Sequence, residues 1–232
     1  MIATLFKNFE MIKFLLENRA DPNLQDRLGY TALMNYFRYP SGEDLAIPEL
    51  LLKAGTDPNV KSTSGRALLI QIATGDVKFI KLLLEHGADI NIQDNERNTA
   101  IMNNFMVMYI NYLDAVKLFL TNGIDPNIQN NRKQTALIIA SSYKNLEIAK
   151  LLLEYGADIN MQDIDGNTAL ISSFIYKDNF EMVKFLIDNG ADPNVKNNNR
   201  ITAYKIAYIN NDREIMEFLV KNGADPNIQN EY

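Results

Sequence analysis

Apolar residues in this chain fall into two alternating kinds of block, separated by polar stretches. Residues 130–162 show the pattern. A short block, Ala136-Leu137-Ile138-Ile139-Ala140, follows Thr135, and a longer one spans 146–155 with Leu146, Ile148, Ala149, Leu151, Leu152 and Leu153. Apolar positions in the longer block cover most of a helical circumference, which predicts a helix with neighbours on both sides. The shorter block predicts a helix of about two turns. Thr135 is placed to cap it, because a threonine hydroxyl accepts from an orphan amide of the first turn. Thr31, Thr99, Thr168 and Thr202 hold the same column, with Ala67 the exception. Gly156 stops the longer helix in a left-handed conformation. Gly55, Gly87, Gly123, Gly190 and Gly223 share its column, and Arg19 departs from it. The polar stretch Asp163-Ile164-Asp165-Gly166-Asn167 has turn chemistry. Each unit therefore reads as helix, helix, then a projecting turn or short hairpin.

The unit repeats. The phrase at its end reads NRADPN, AGTDPN, HGADIN, NGIDPN, YGADIN, NGADPN and NGADPN, and successive aspartates lie 36, 32, 36, 33, 34 and 33 residues apart. Such a period predicts one supersecondary unit stacked on copies of itself, with a continuous core. The fold class expected is an all-α repeat solenoid of stacked helix-turn-helix units joined by β-turn or hairpin fingers. It occupies 1–232 as one domain, divided as 1–25 (a truncated first repeat), 26–61, 62–93, 94–129, 130–162, 163–196 and 197–232. The Gly-Ala-Asp-x-Asn phrase, with the Asp-x-x-Gly-x-Thr turns at 26–31 and 163–168, resembles the ankyrin repeat family over essentially the whole chain. A tetratricopeptide array has a similar period but lacks this phrase.

The chain departs from the family pattern in several columns. Thr-Pro-Leu-His becomes Thr-Ala-Leu-Met at 31–34 and Thr-Ala-Leu-Ile at 135–138 and 168–171. The histidine column reads Met34, Ile70, Met102, Ile138, Ile171 and Lys205, so apolar packing is expected to replace the family's inter-repeat histidine bonds. Arg97, Lys133 and Arg200 stand where the family has a turn glycine. A left-handed backbone there costs about 1–2 kcal/mol per residue, so a shifted turn geometry is expected instead. Two repeats are longer than the rest, with a loop expected at 38–43 and an extra helical turn at 105–111; Pro48 falls near the start of a second helix. In the last repeat Lys205 and Arg213 replace apolar residues, as expected of a C-terminal cap. At the other end Ile2, Leu5, Phe6 and Phe9 are expected to leave apolar surface partly uncovered, either as a simple end or as a contact for a partner or a second copy.

Composition narrows the chemistry. The chain has one histidine and no cysteine, so disulfides and thiolate chemistry are excluded, and standard zinc sites and a Ser-His-Asp site are disfavoured. His86 precedes Gly87 and reads as a helix-end residue. The repeated aspartates follow the period of the fold and read as structural. No glycine loop of the phosphate-binding kind occurs. No cofactor and no metal are expected, and the chain is read as non-enzymatic. No apolar run is long enough to span a membrane, and no signal peptide is expected. The richness in Asn, Ile, Lys and Tyr fits an AT-rich genome, and the cytoplasm or a host-cell cytosol is the expected location.

The resemblance implies a protein–protein interaction module whose turn tips and first helices form the recognition surface. The residues placed there are Arg27, Tyr30, Arg66, Arg97, Arg132, Lys133 and Arg200 in and beside the turns. Tyr39, Tyr109, Tyr143, Tyr176 and Tyr208 lie at the ends of the first helices. Tyrosine and arginine are frequent interface anchors; Phe37 and Met106 read instead as packing residues. The partner expected is a protein of unstated identity, bound by a monomer. The alternative is nucleic acid or another polyanion along the arginine tips, against which the net charge of −6 counts.

Overall fold

The computed structural model describes residues 1–38, 44–73, 77–102, 112–176 and 179–227. These fall into two compact units, one within 1–124 and the other within 125–227. Among the described residues all regular structure is helical apart from one isolated bridge, Lys61 to Ala67. The expected helical repeat array is what forms.

In the first unit the helices are α1 (Ile2–Leu5), α2 (Phe9–Glu17), α3 (Ala32–Tyr36), α4 (Ala46–Lys53), α5 (Leu68–Gln71), α6 (Val77–Glu85) and α7 (Tyr112–Thr121). Helix α1 packs on α3, α2 on α4, and α6 on α7. First helices thus stack on first helices and second on second. In the second unit, α8 (Ala136–Ser142), α10 (Ala169–Ser172) and α12 (Ala203–Ile209) form one stack. Helices α9 (Leu146–Glu154), α11 (Phe180–Asp188) and α13 (Arg213–Lys221) form the other.

The caps follow the threonine column. Thr31, Thr135, Thr168 and Thr202 accept from the amides of Met34, Ile138, Ile171 and Lys205, each at 3.3 Å. Ala67 caps α5 without a side-chain bond. The buried hydroxyl of Thr99 has no partner among the described residues, and the Met102 amide donates to the Thr99 carbonyl instead. Pro48 sits in the first turn of α4, where its missing N–H leaves no hole. The expected loop and extra helical turn of the two longer repeats fall on 39–43 and 103–111, outside the described residues.

The column emptied of histidine is buried. Met34 is 1% exposed, Ile70 4%, Met102 5%, Ile138 1% and Ile171 6%. Burying a side chain of this size stabilises by roughly 1.5–3 kcal/mol, so apolar packing does replace polar bonds here.

A second device joins neighbouring repeats through the phrase itself. Each aspartate accepts, through Oδ1, from the amide two residues on, as Asp57 does from Asn59 at 2.8 Å and Asp158 from Asn160 at 2.9 Å. That turn presents the asparagine to the next repeat. In the first unit Asn23 donates to the Gly55 carbonyl and accepts from the Asp57 amide, and Asn59 does the same with Gly87 and Asp89. In the second unit Asn127 brackets Gly156 and Asp158, and Asn194 brackets Gly223 and Asp225. The aspartates are thus spent on the backbone.

Candidate partner-binding surface

The fingers are built from one side chain each. Asp26, Asp94 and Asp163 accept through Oδ1 from the amides two and four residues on, at 2.8–3.0 Å. Asn130 and Asn197 do the same. Burial pushes the Asp26 carboxyl up, but bonds from Asn35 and from the Tyr30 and Leu28 amides, with Arg38 nearby, outweigh it and hold the group below its ordinary value. A glutamine then ties finger to finger. Gln25 donates to the Lys61 carbonyl in the first unit, and in the second Gln129 reaches Gln162 and Gln162 reaches Lys196. Direct amide bonds add to this, Thr63 to Leu28 in the first unit and Ile164 to Arg132 and Asn198 to Asp165 in the second.

The turn geometry does not shift where glycine is replaced, contrary to expectation. Arg97, Lys133 and Arg200 keep φ at 59°, 54° and 60°. The turn is fixed by the Asp or Asn side chain and by the bond that closes it, as from the Arg97 amide to the Asp94 carbonyl at 2.9 Å. Those bonds outweigh the local strain.

This framework carries the cations outward. Arg27, Arg66 and Arg97 in the first unit, and Arg132, Lys133 and Arg200 in the second, are all exposed. Tyr30 is half-buried, with the Arg38 guanidinium 5.7 Å from its ring centre.

The ends of the first helices differ between the units. In the first, Tyr36 is buried, its hydroxyl donating to the Asp44 carbonyl, and Phe37 packs edge-on against Phe79 at 4.7 Å between ring centres. Phe37 is therefore a packing residue, as expected. Ile72 and Ala73 are buried too. In the second, Tyr143 is 40% exposed, Tyr176 49% and Tyr208 59%. The rings of Tyr143 and Tyr176 lie 6.3 Å apart, and Lys205 Nζ sits 5.4 Å over Tyr208. Tyr39 and Tyr109, and with them Met106, lie outside the described residues.

Two exposed residues are missed by the column reading, Ile175 and Ile209. In repeat five their column holds Ser142. For Ile175 the signal was the extra residue between Asp158 and Asp192, in a repeat whose α10 ends after four residues and continues as a 3-10 turn over Ser173–Ile175; repeat seven has the standard spacing, and nothing in it marks Ile209.

His86 Nδ1 is 2.9 Å from the Leu82 carbonyl, inside its own helix end. No helix of the described residues is long and apolar enough to cross a membrane.

Comparison with known proteins agrees with this architecture. A family model of ankyrin repeats matches residues 1–94, 104–197 and 155–230. An ankyrin repeat protein of Acanthamoeba polyphaga mimivirus is 32% identical over 113 residues, 47% of this chain and 20% of that protein. An ankyrin repeat-containing protein of Treponema pallidum is 36% identical over 72 residues, 31% of this chain and 23% of that protein. An E3 ubiquitin-protein ligase of Arabidopsis thaliana is 33% identical over 93 residues, 39% of this chain and 6% of that protein. The chain spans less than a quarter of the length of each of these relatives. Stacked helix pairs, Asx-closed fingers and asparagine-bracketed glycines, together with the family match over most of the sequence, make this chain a member of the ankyrin repeat family.

Proposed function

We propose that the protein is a non-enzymatic protein–protein interaction module that engages its partner through finger tips and first-helix ends. Ankyrin repeats are in general protein-interaction modules. The observation that carries the finer reading is the set of exposed basic tips that each unit holds on fingers locked by hydrogen bonds. Arg27, Arg66, Arg97, Arg132 and Lys133 are exposed and form no ion pair with a described residue. Solvated cations on a preformed backbone lose little freedom on binding, and arginine forks suit carboxylates of a partner protein. Exposed tyrosines beside them add apolar area with a polar tip.

The test is a pull-down from native cells with the wild-type chain and with Arg66→Glu, Arg97→Glu, Tyr143→Ala and Tyr176→Ala combined. Each anchor of this kind contributes on the order of 2 kcal/mol, so partner recovery is expected to vanish. Unchanged recovery would sink the face.

A further inference from the structure

We propose that the second unit holds the specificity pocket of this surface, and that it takes a protein segment bearing a large apolar side chain flanked by aspartate or glutamate. The proposal rests on the interaction-module reading above and names the chemistry of its partner.

A groove of about 310 Å³ lies between the fingers and first helices of the last three repeats. Ile138, Ile171, Ile201, Ile206, Phe174 and Ile175 give it an apolar lining. Arg132, Asp163 and Asp165 lie among its polar residues. The irregular repeat six shapes it. Repeat five keeps α8 helical to Ser142 and places Ser141 and Ser142 at its end. Repeat six puts Phe174 and Ile175 in those columns and turns the backbone out at Tyr176, φ −116° and ψ 153°. Ile175 is 64% exposed and Ile209, in the same column of repeat seven, is 63% exposed. Neither contributes much burial to the fold. With Tyr143, Tyr176 and Tyr208 they make an apolar and aromatic ridge beside the groove, for which the first unit shows no counterpart among its described residues.

Charge selects the occupant. Among the described residues, the fingers and first-helix segments of the second unit carry Arg132, Lys133, Lys144, Lys196, Arg200 and Lys205 against two carboxylates, Asp163 and Asp165. Asp163 is buried and already accepts from the Asp165 and Asn167 amides and the Asn167 side chain. Asp165 alone stays open. Helices α8, α10 and α12 contain no acidic residue. A chain of net charge −6 thus turns a cationic, apolar-floored surface outward here. An apolar side chain in the groove with carboxylates at Arg132 and Lys133 satisfies both features.

The experiment is selection of a phage-displayed library of short random peptides on the full-length protein, followed by fluorescence titration of the enriched peptides as synthetic probes. Enriched sequences are expected to carry one large aliphatic or aromatic residue with neighbouring Asp or Glu. Ile175→Ser installs the residue of repeat five and is expected to weaken binding at least about tenfold. The paired charge reversal Arg132→Glu with Lys133→Glu is expected to do the same. Both change exposed side chains, and an unaltered urea midpoint shows that the fold persists. The pair Lys13→Glu with Lys81→Glu, exposed on the second helices α2 and α6 of the first unit, is expected to leave peptide affinity within about twofold. Peptides with basic flanks that still depend on Ile175 overturn the acidic partner and leave the interaction surface standing. Peptides weakened only by the first-unit pair overturn the location. Peptides indifferent to every variant, or no enrichment, overturn the proposal altogether; loss of the native partner in the pull-down is read separately.

Discussion

At the residue scale the finger tips separate two kinds of left-handed position. Gly29 and Gly166 sit at φ 75° and 79° under the next finger, where an added Cβ would lie 2.7 Å from the Thr63 amide nitrogen and 2.8 Å from that of Asn198. Arg97, Lys133 and Arg200 share the conformation and carry their side chains into solvent. Glycine at these three removes steric strain of about 1–2 kcal/mol but loosens the unfolded chain. Arg97→Gly and Lys133→Gly are therefore each expected to raise stability by about 0.5–1 kcal/mol in urea denaturation. Gly166→Ala is expected to lose more than about 1 kcal/mol, because both dihedral and contact oppose it. The three basic tips thus retain strain that glycine would relieve, in keeping with a role outside folding. Asp26 supplies a pH dependence of known sign. Its folded-state value lies below the ordinary 3.8, so its contribution is present above that pH and is lost as pH falls through the folded value. Acid titration of the urea midpoint should show the gap between wild type and Asp26→Asn narrowing as pH drops below about 4; a constant gap would refute the assignment.

At the element scale the helices were legible because their signals are local. Thr135 before Ala136, and Gly156 after Tyr155, mark boundaries within a few residues of the atoms they bond. What escaped was set by groups about 30 residues apart. Nothing in the word Asp-x-Asn announces that Asn127 will span Gly156 and Asp158 in the next repeat, at 3.0 and 2.7 Å. Likewise, one extra residue in repeat six reads as an insertion, yet whether it lengthens a loop or cuts a helix depends on how Ser172 and Ser173 are buried against α8 and α12. The glycine substitutions misled for a different reason: the Asp or Asn side chain three residues earlier holds the turn through its own bonds to the backbone, which outweigh the strain. Asn127→Ala deletes both bonds of one bracket, and is expected to cost about 1–3 kcal/mol by urea denaturation. Asn127→Asp keeps the acceptor toward the Asp158 amide but sets a carboxylate against the Gly156 carbonyl, so it should be at least as damaging. If Asn127→Ala proved neutral, the bracket would contribute nothing to stability.

At the scale of the whole molecule, stability and recognition draw on different forces. Both units are held by buried aliphatic columns such as Leu51, Leu83, Leu152 and Leu186, and by neutral amide brackets between repeats. The Lys53–Glu49 pair is exposed and spans one turn of α4, where such a pair contributes about 0.3–0.5 kcal/mol. Raising ionic strength should therefore leave the fold nearly untouched. The recognition proposed for Arg132 and Lys133 depends on exposed charge, which salt screens beyond roughly 10 Å at 0.1 M. The urea midpoint is expected to shift by less than the equivalent of about 0.5 kcal/mol between low and half-molar sodium chloride, while partner affinity falls at least about tenfold. The decrease in affinity should come mainly from slower association, since steering acts before contact. Stopped-flow or surface-based kinetics across the same salt series separates the outcomes. A salt-independent association rate would assign recognition to the groove and the tyrosine ridge without the basic tips.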